Sequence, residues 1–268
     1  MFYREVAPPP PLDAFVKCLW ILEAPAAPGG AAPDTIVPDG CAEVVFHFGD
    51  RFRRVEAGVP VSQFRTAVVG PSARPLQVLA TGRVGVLGVR LRPEGIAALL
   101  DVPADEVAGR SLPIDAVLGT EGRRIEERVC GARDSGERLA AAAAAFGRRA
   151  REATLPERVG AAVALVRRTL GRATVDDMAE AAGVTGRHLE RLFREEVGLP
   201  PKTLSRLVRF RAALALLRRG HPLGTVGVAA DLGYSDQAHL HRDFREFAGA
   251  PPGAFLRRAG GVGEPFNS

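Results

Sequence analysis

Cysteine is scarce in this sequence. Cys18, Cys41 and Cys130 are its three, and no two stand in C-x-x-C spacing. So sparse and odd a set excludes a disulfide framework and a cysteine zinc cluster, and reads as free buried thiols. Histidine is nearly as thin. His47 is the only one before His188, so a metal-dependent barrel enzyme would lack the converging ligands it needs. No apolar run is long enough to span a membrane. The opening MFYREVAPPPP lacks the basic-then-apolar order of a secretory leader, so the expected location is the cytoplasm. Lysine is almost absent, at 2 against 34 arginines.

What is present is globular. At 268 residues, 46% hydrophobic and 25% charged, the chain can hold two domains, each with its own core. The net charge of +5 is unevenly placed. Residues 160–268 carry 16 Lys+Arg against 11 Asp+Glu, so the whole excess lies there. A basic C-terminal part points to an acidic partner, nucleic acid first.

Residues 1–12, with the prolines from Pro8 to Pro11, read as a stiff extended entry. Segment 15–23 (FVKCLWILE) reads as a buried strand, and 24–34 (APAAPGGAAPD) as a loop. Asp39-Gly40 is a turn signal. Strands are expected at 43–48, 66–69, 76–80 and 84–91. Short strands punctuated by turns predict a small antiparallel barrel or sandwich over residues 1–92. Pro93 opens a helix carrying Ile96, Leu99 and Leu100. Residues 121–149 read as helical in two pieces broken near Gly131. The second piece holds the alanine run 140–145, which suits close helix packing, internal or in a dimer.

The C-terminal part repeats one pattern twice. Thr174 and Asp177 fit a capping box. A turn at Gly183 follows, and a new helix opens at Thr185. Its buried face is Leu189, Leu192, Phe193 and Val197; its front carries Arg187, His188, Glu190, Arg191 and Arg194. That is the helix-turn-helix pattern. One long helix over 203–219 would span about 25 Å. Then come a short helix over 223–232, the turn glycine Gly233 and a second helix. Ser235 is its expected cap, with Asp236 on the first turn. Leu240, Phe244 and Phe247 mark its buried face. Gln237, Ala238, His241, Arg242 and Arg245 mark its front, a pattern that suits the DNA major groove. Two readers on one stiff connector could address successive grooves, about 34 Å apart.

Residues 174–258 closely resemble the DNA-binding domain of AraC/XylS-type bacterial transcription regulators. The resemblance rests on 179–193 (AEAAGVTGRHLERLF), 198–201 (GLPP) and above all 233–244 (GYSDQAHLHRDF) with 249–252 (GAPP). Segment 36–119 looks, more loosely, like the regulatory domain of one branch of that family. The resemblance implies base contacts from Arg187, Glu190 and Arg191 in the first unit, and from Gln237, Ala238, His241 and Arg242 in the second. Arginine can bond guanine bidentately, glutamine adenine and glutamate cytosine, and alanine can touch a thymine methyl. Phosphate contacts are expected from Thr185, Arg194, Lys202, Ser235 and Arg245. Ala238 departs from the more common polar residue there.

Other chemistries fare poorly. His241-Arg242-Asp243 spells the start of a kinase catalytic loop, but no asparagine stands at the required distance and no glycine-rich phosphate loop exists. His239 and His241 are two apart on a helix and make a poor metal pair. A cysteine alkyl acceptor would need a zinc cluster that three dispersed cysteines cannot supply. Cys41 and His47 share strand parity, with nothing in the sequence to make them nucleophile and base.

The expected fold is therefore α+β: a small β-rich, barrel-like sensor domain over 1–92, a helical connector with a dimerisation role over 93–153, an all-α double helix-turn-helix domain over 154–258 and a flexible tail over 259–268. A ligand pocket is expected near Trp20, Phe46 and Phe48, and neither a metal nor a cofactor is expected. The expected activity is non-enzymatic, sequence-specific transcription regulation. Expected partners are double-stranded operator or promoter DNA, a small-molecule effector, RNA polymerase and a second copy of the chain, but no membrane. The alternatives are a ligand-independent DNA-binding module whose N-terminal domain only dimerises, and a barrel enzyme fused to a DNA-binding domain.

Overall fold

The computed structural model describes residues 1–26, 33–56 and 58–257. The expected tail over 259–268 and most of the loop over 24–34 lie outside the described residues. Ten strands form two antiparallel sheets: β1 (Phe2–Val6), β2 (Val16–Ala24), β3 (Asp34–Ile36), β4 (Ala42–His47), β5 (Arg53–Glu56), β6 (Val59–Ser62), β7 (Thr66–Val69), β8 (Leu76–Leu79), β9 (Val84–Leu91) and β10 (Ser111–Pro113). The larger sheet runs β1-β2-β9-β4-β7-β10 and the smaller β3-β8-β5-β6. Strand β9 lies inside the larger sheet with all eight residues buried. The run is apolar except for Arg90, as two covered faces require, and Arg90 is paired with Glu43.

Strand β1 pairs along its whole length with β2, so part of the expected extended entry belongs to the sheet. Its pattern is mostly exposed and too short to show a period. All four residues of β6 are exposed at the sheet edge, which hides that strand from any hydrophobic reading.

After β9 come α1 (Ile96–Leu100) and α2 (Ala104–Val107), and after β10 come α3 (Ile114–Gly131) and α4 (Ser135–Glu152). They do not stand apart as a connector. Ile125, Val129, Ala142, Ala145 and Phe146 share one buried core with Phe46, Val68, Leu87 and Val89 of the large sheet. The small side chains of the alanine run let α4 lie close on that core, with Ala142 and Ala145 buried. Helix α3 starts earlier than expected and kinks at Gly119, where φ is +56°. The break near Gly131 is real, and Asp134 caps the second piece by accepting the Glu137 backbone N–H at 2.9 Å.

The remaining helices are α5 (Glu157–Arg168), α6 (Val175–Ala181), α7 (Gly186–Glu196), α8 (Pro201–Arg218), α9 (Gly224–Asp231), α10 (Gln237–Ala248) and α11 (Pro252–Leu256). They surround one core built on Val163, Phe193, Leu207, Phe210, Phe244 and Phe247. Helix α8 begins with Pro201 in its first turn, where a missing N–H costs nothing. Its 18 residues span about 27 Å.

Two of the contacts that join the two bodies come from the loop before β4. Val37, on the loop before β4, is buried in the core of the helical body. Gly40 follows at φ +80°, and a Cβ there would lie 2.5 Å from Leu204 Cδ1 on α8, so only glycine fits the turn. No helix among the described residues is long and apolar enough to cross a membrane.

Candidate nucleic-acid interface

Helices α7 and α10 are built alike. Thr185 caps α7, its hydroxyl accepting the His188 backbone N–H at 3.3 Å. The capping box before α6 is complete: Asp177 N–H donates to Thr174 Oγ1 at 3.1 Å, and Thr174 N–H to Asp177 Oδ2 at 2.8 Å. Leu189 and Phe193 anchor the back of α7 in the core. Arg187, Glu190, Arg191 and Arg194 stand exposed in front, in a shallow groove with His188 and Pro200.

The cap of α10 corrects the sequence reading. Asp236, not Ser235, is the N-cap, accepting the His239 backbone N–H at 2.6 Å. Asp236 has extended backbone (φ −164°) and Gln237 is the first helical residue. The Asp236 carboxylate therefore reaches the third N–H of the helix. That bond, with Arg242 nearby, holds the Asp236 carboxyl below its ordinary pKa. The Ser235 hydroxyl lies 3.2 Å from His239 Nδ1 instead.

Gln237, Ala238, Arg242 and Arg245 are exposed on the front of α10. His241 is half-buried, and its Nε2 is shielded from solvent without a partner among the described residues. Arg242 shares a basic groove with Lys202, Arg172, Arg209 and His239. Sequence reasoning missed Arg172 and Arg209. Each sits on another element of the body, and only the fold brings them to this groove.

Several front side chains have partners within the chain. Arg191 lies 3.0 Å from Glu195 and 2.9 Å from His188 Nε2. Gln237 donates to Thr225 at 2.5 Å. Arg194 lies 3.6 Å from Asp105 of α2, across the joint between the bodies. Exposed pairs of this kind are worth about 1 kcal/mol or less and yield readily to a phosphate.

Helix α8 holds the second reader in place. Arg206 bonds Asp243 at 2.7 Å and also engages Glu246 at 2.5 Å. Phe210 meets Phe244 edge-on at 4.9 Å and Phe247 at 5.4 Å.

The β-body holds a cavity of about 120 Å³ between its sheets, lined by Trp20, Val45, His47, Phe52, Val78 and Val86 among others. Of the three expected pocket aromatics only Trp20 lines it. Strand alternation explains the difference. Cys41, just before β4, and Glu43, Val45 and His47 on it line the cavity, while Phe46 faces the helices. Phe48 packs against that same helical core, under the Arg138 guanidinium at 4.2 Å. Gly88 gives Trp20 its place: a Cβ there would lie 2.1 Å from the indole.

Cys41 and His47 both line the cavity, but six residues of strand separate them by about 20 Å. Burial pushes the Cys41 thiol well above its ordinary pKa. They are no nucleophile–base pair. No group of three metal-ligating side chains occurs among the described residues.

Residues 4–113 match a family described as a domain of unknown function (DUF6597), and residues 178–258 match a helix-turn-helix domain. The HTH-type transcriptional regulator GlxA of Rhizobium meliloti (strain 1021) is 40% identical over 83 residues, 31% of this chain and 25% of the relative. The chain thus spans about a quarter of the length of that curated relative. An AraC-type transcriptional regulator from Chromobacterium violaceum is 25% identical, covering 38% of this chain and 90% of its own, at a TM-score of 0.35. ToxT from Vibrio cholerae O395 is 12% identical over 90% of this chain and 97% of its own, at a TM-score of 0.47. With the two capped helices, the GYSDQAHLHRDF motif and the matched helix-turn-helix family model together, the C-terminal domain of this chain is a helix-turn-helix domain similar to that of AraC-type regulators.

Proposed function

We propose that this protein is a sequence-specific, DNA-binding transcription regulator acting in the cytoplasm. One observation carries the reading: α7 and α10 are two capped helices with buried backs and exposed arginine-bearing fronts, joined by one rigid helix, α8. Arg187, Glu190 and Arg191, with Gln237, Ala238 and Arg242, would meet base edges. Half-buried His241 would contribute through its exposed edge. Thr185, Arg194, Lys202, Ser235 and Arg245 would grip phosphates.

The N-terminal body would sense a small molecule. Its cavity wall includes Val37 and Asp39, and the same loop enters the core around α8. A ligand there has a short physical route to the reader. A second copy of the chain and RNA polymerase complete the proposed set of partners.

The test is selection of binding sites by the full-length protein from random duplex DNA at near-physiological salt. Two short motifs about one helical turn apart are expected. A single motif would leave one reader holding only phosphate. No enrichment would overturn the reading.

A further inference from the structure

The cavity between the sheets carries a chemical demand. Its walls are mostly apolar, with Trp20, Val45, Phe52, Val78 and Val86 around a space of about 120 Å³. Dry apolar cavities near this size accept a single aromatic ring. One polar atom inside is unanswered. His47 is 1% exposed, and its Nε2 has no hydrogen-bond partner among the described residues. The Gln63 side chain is its polar neighbour and interacts with the ring, short of a well-formed hydrogen bond to Nε2.

The tautomer follows from the other ring nitrogen. His47 Nδ1 lies 3.3 Å from the Arg65 carbonyl oxygen, which can only accept. Nδ1 therefore carries the proton, and Nε2 offers a lone pair. Burial lowers the imidazole's pKa, which keeps the ring neutral. An unanswered acceptor in a buried apolar site calls for a donor.

The charge around the cavity argues against an acid as that donor. Glu43 and Asp39 are carboxylates on the wall. The cations beside them are engaged, Arg90 with Glu43 at 2.5 Å and Lys17 with Asp39 at 3.2 Å. Arg74 stands exposed at the mouth, whereas His47 is buried.

We propose that the cavity binds an uncharged, compact, largely apolar molecule that donates one hydrogen bond, from a hydroxyl or N–H, to His47 Nε2. This rests on the reading of the N-terminal body as a small-molecule sensor. It adds the chemical class of the ligand.

Trp20 is the only tryptophan of the chain and lines the cavity, so its emission reports occupancy directly. The full-length protein is titrated with phenol, anisole and benzoate, following Trp20 emission and the thermal midpoint together. Phenol should saturate the emission change and raise the midpoint. Anisole has the same ring and no donor, and should bind about tenfold more weakly, as one lost hydrogen bond implies. Benzoate should bind more weakly than phenol. In His47→Phe the preference for phenol over anisole should fall to about one. Should that variant fail to fold, the phenol-to-anisole ratio of the unaltered protein still decides.

Equal binding of phenol and anisole, or tighter binding of benzoate, would overturn the ligand class while leaving a small-molecule cavity in place. Silence from all three probes would overturn the ligand class and remove the cavity's claim to sense. The DNA-selection result is untouched by either outcome.

Discussion

The Arg167 guanidinium grips both carboxylate oxygens of Glu94, at 2.6 and 2.9 Å. Arg167 lies in the last turn of α5, and Glu94 in the short turn that opens α1. The pair therefore spans the joint between the β-body and the reader. Glu94 is the more buried partner, its side chain 11% exposed against 38% for Arg167. Arg167→Ala leaves a shielded carboxylate alone, whereas Glu94→Gln keeps a neutral hydrogen-bonding group. Arg167→Ala should thus destabilise more than Glu94→Gln, by about 1 kcal/mol after solvent screening, read as the larger fall in thermal midpoint. An equal effect would mean that the pair holds nothing together.

Arg206 and Asp243 form a more enclosed pair. The Asp243 side chain is 1% exposed. Arg206→Ala should cost about 3–5 kcal/mol, because it strands a buried charge. Asp243→Asn should cost less. Chemical unfolding of the three proteins checks the order, and a reversal would mean that Asp243 is satisfied elsewhere.

The cap of α10 separates two neighbouring residues. Asp236→Ala should destabilise by about 0.5–2 kcal/mol. Ser235→Ala should stay within about 0.5 kcal/mol, the usual range for a surface change. Hydrogen exchange at the His239 amide should rise in the first variant only.

Base and phosphate contacts differ in how they fail. Arg242→Ala should reduce discrimination at one or two base pairs by about 1–3 kcal/mol. Lys202→Ala should weaken binding on every sequence alike and lower the salt slope by about one. Binding measured on the selected site and its single-base variants, at several salt concentrations, separates the two. Uniform weakening by Arg242→Ala would reassign it to phosphate.

Acid should act first on His47. Burial lowers its pKa despite the Arg65 and Phe64 carbonyls, and Arg51 works in the same direction. As pH falls, the unfolded chain takes up this proton first, near its ordinary value of about 6.5. Stability is then full above that value and is lost as pH drops towards the folded-state pKa. The thermal midpoint should be level above about pH 6.5 and decline below it. His47→Phe should flatten that decline.

Asp39 follows at lower pH. Burial pushes its carboxyl up, but Arg90, Lys17, Arg211 and the Cys41 backbone N–H outweigh that and hold it well down. Its contribution is present above the ordinary aspartate value of about 3.9 and is lost below it.

The reader was legible in the sequence because its signals are local. Thr174 with Asp177, Thr185, and the run from Gly233 to Phe247 each state their geometry within one or two helical turns. Ser235 and Asp236 were confused because both residue types cap well, and only the backbone angle at Asp236 decides between them. The cavity was less legible. Choosing Phe46 and Phe48 over His47 followed size, whereas alternation along β4 decides which side chains face inward. That parity was in the sequence. Which of the two faces meets the helices was not, because it depends on α3 and α4 packing from more than sixty residues away.

Val37 belongs by chain position to the β-body and by packing to the reader. The two bodies are therefore not modules in the sense that cutting and joining requires. A reader excised after α4 would leave a vacancy in its own interior, and one grafted to a foreign sensor would inherit whatever residue that sensor happened to insert. Recombination between such chains would have to keep the 37–41 loop and the α8 surface together, because each completes the other's packing.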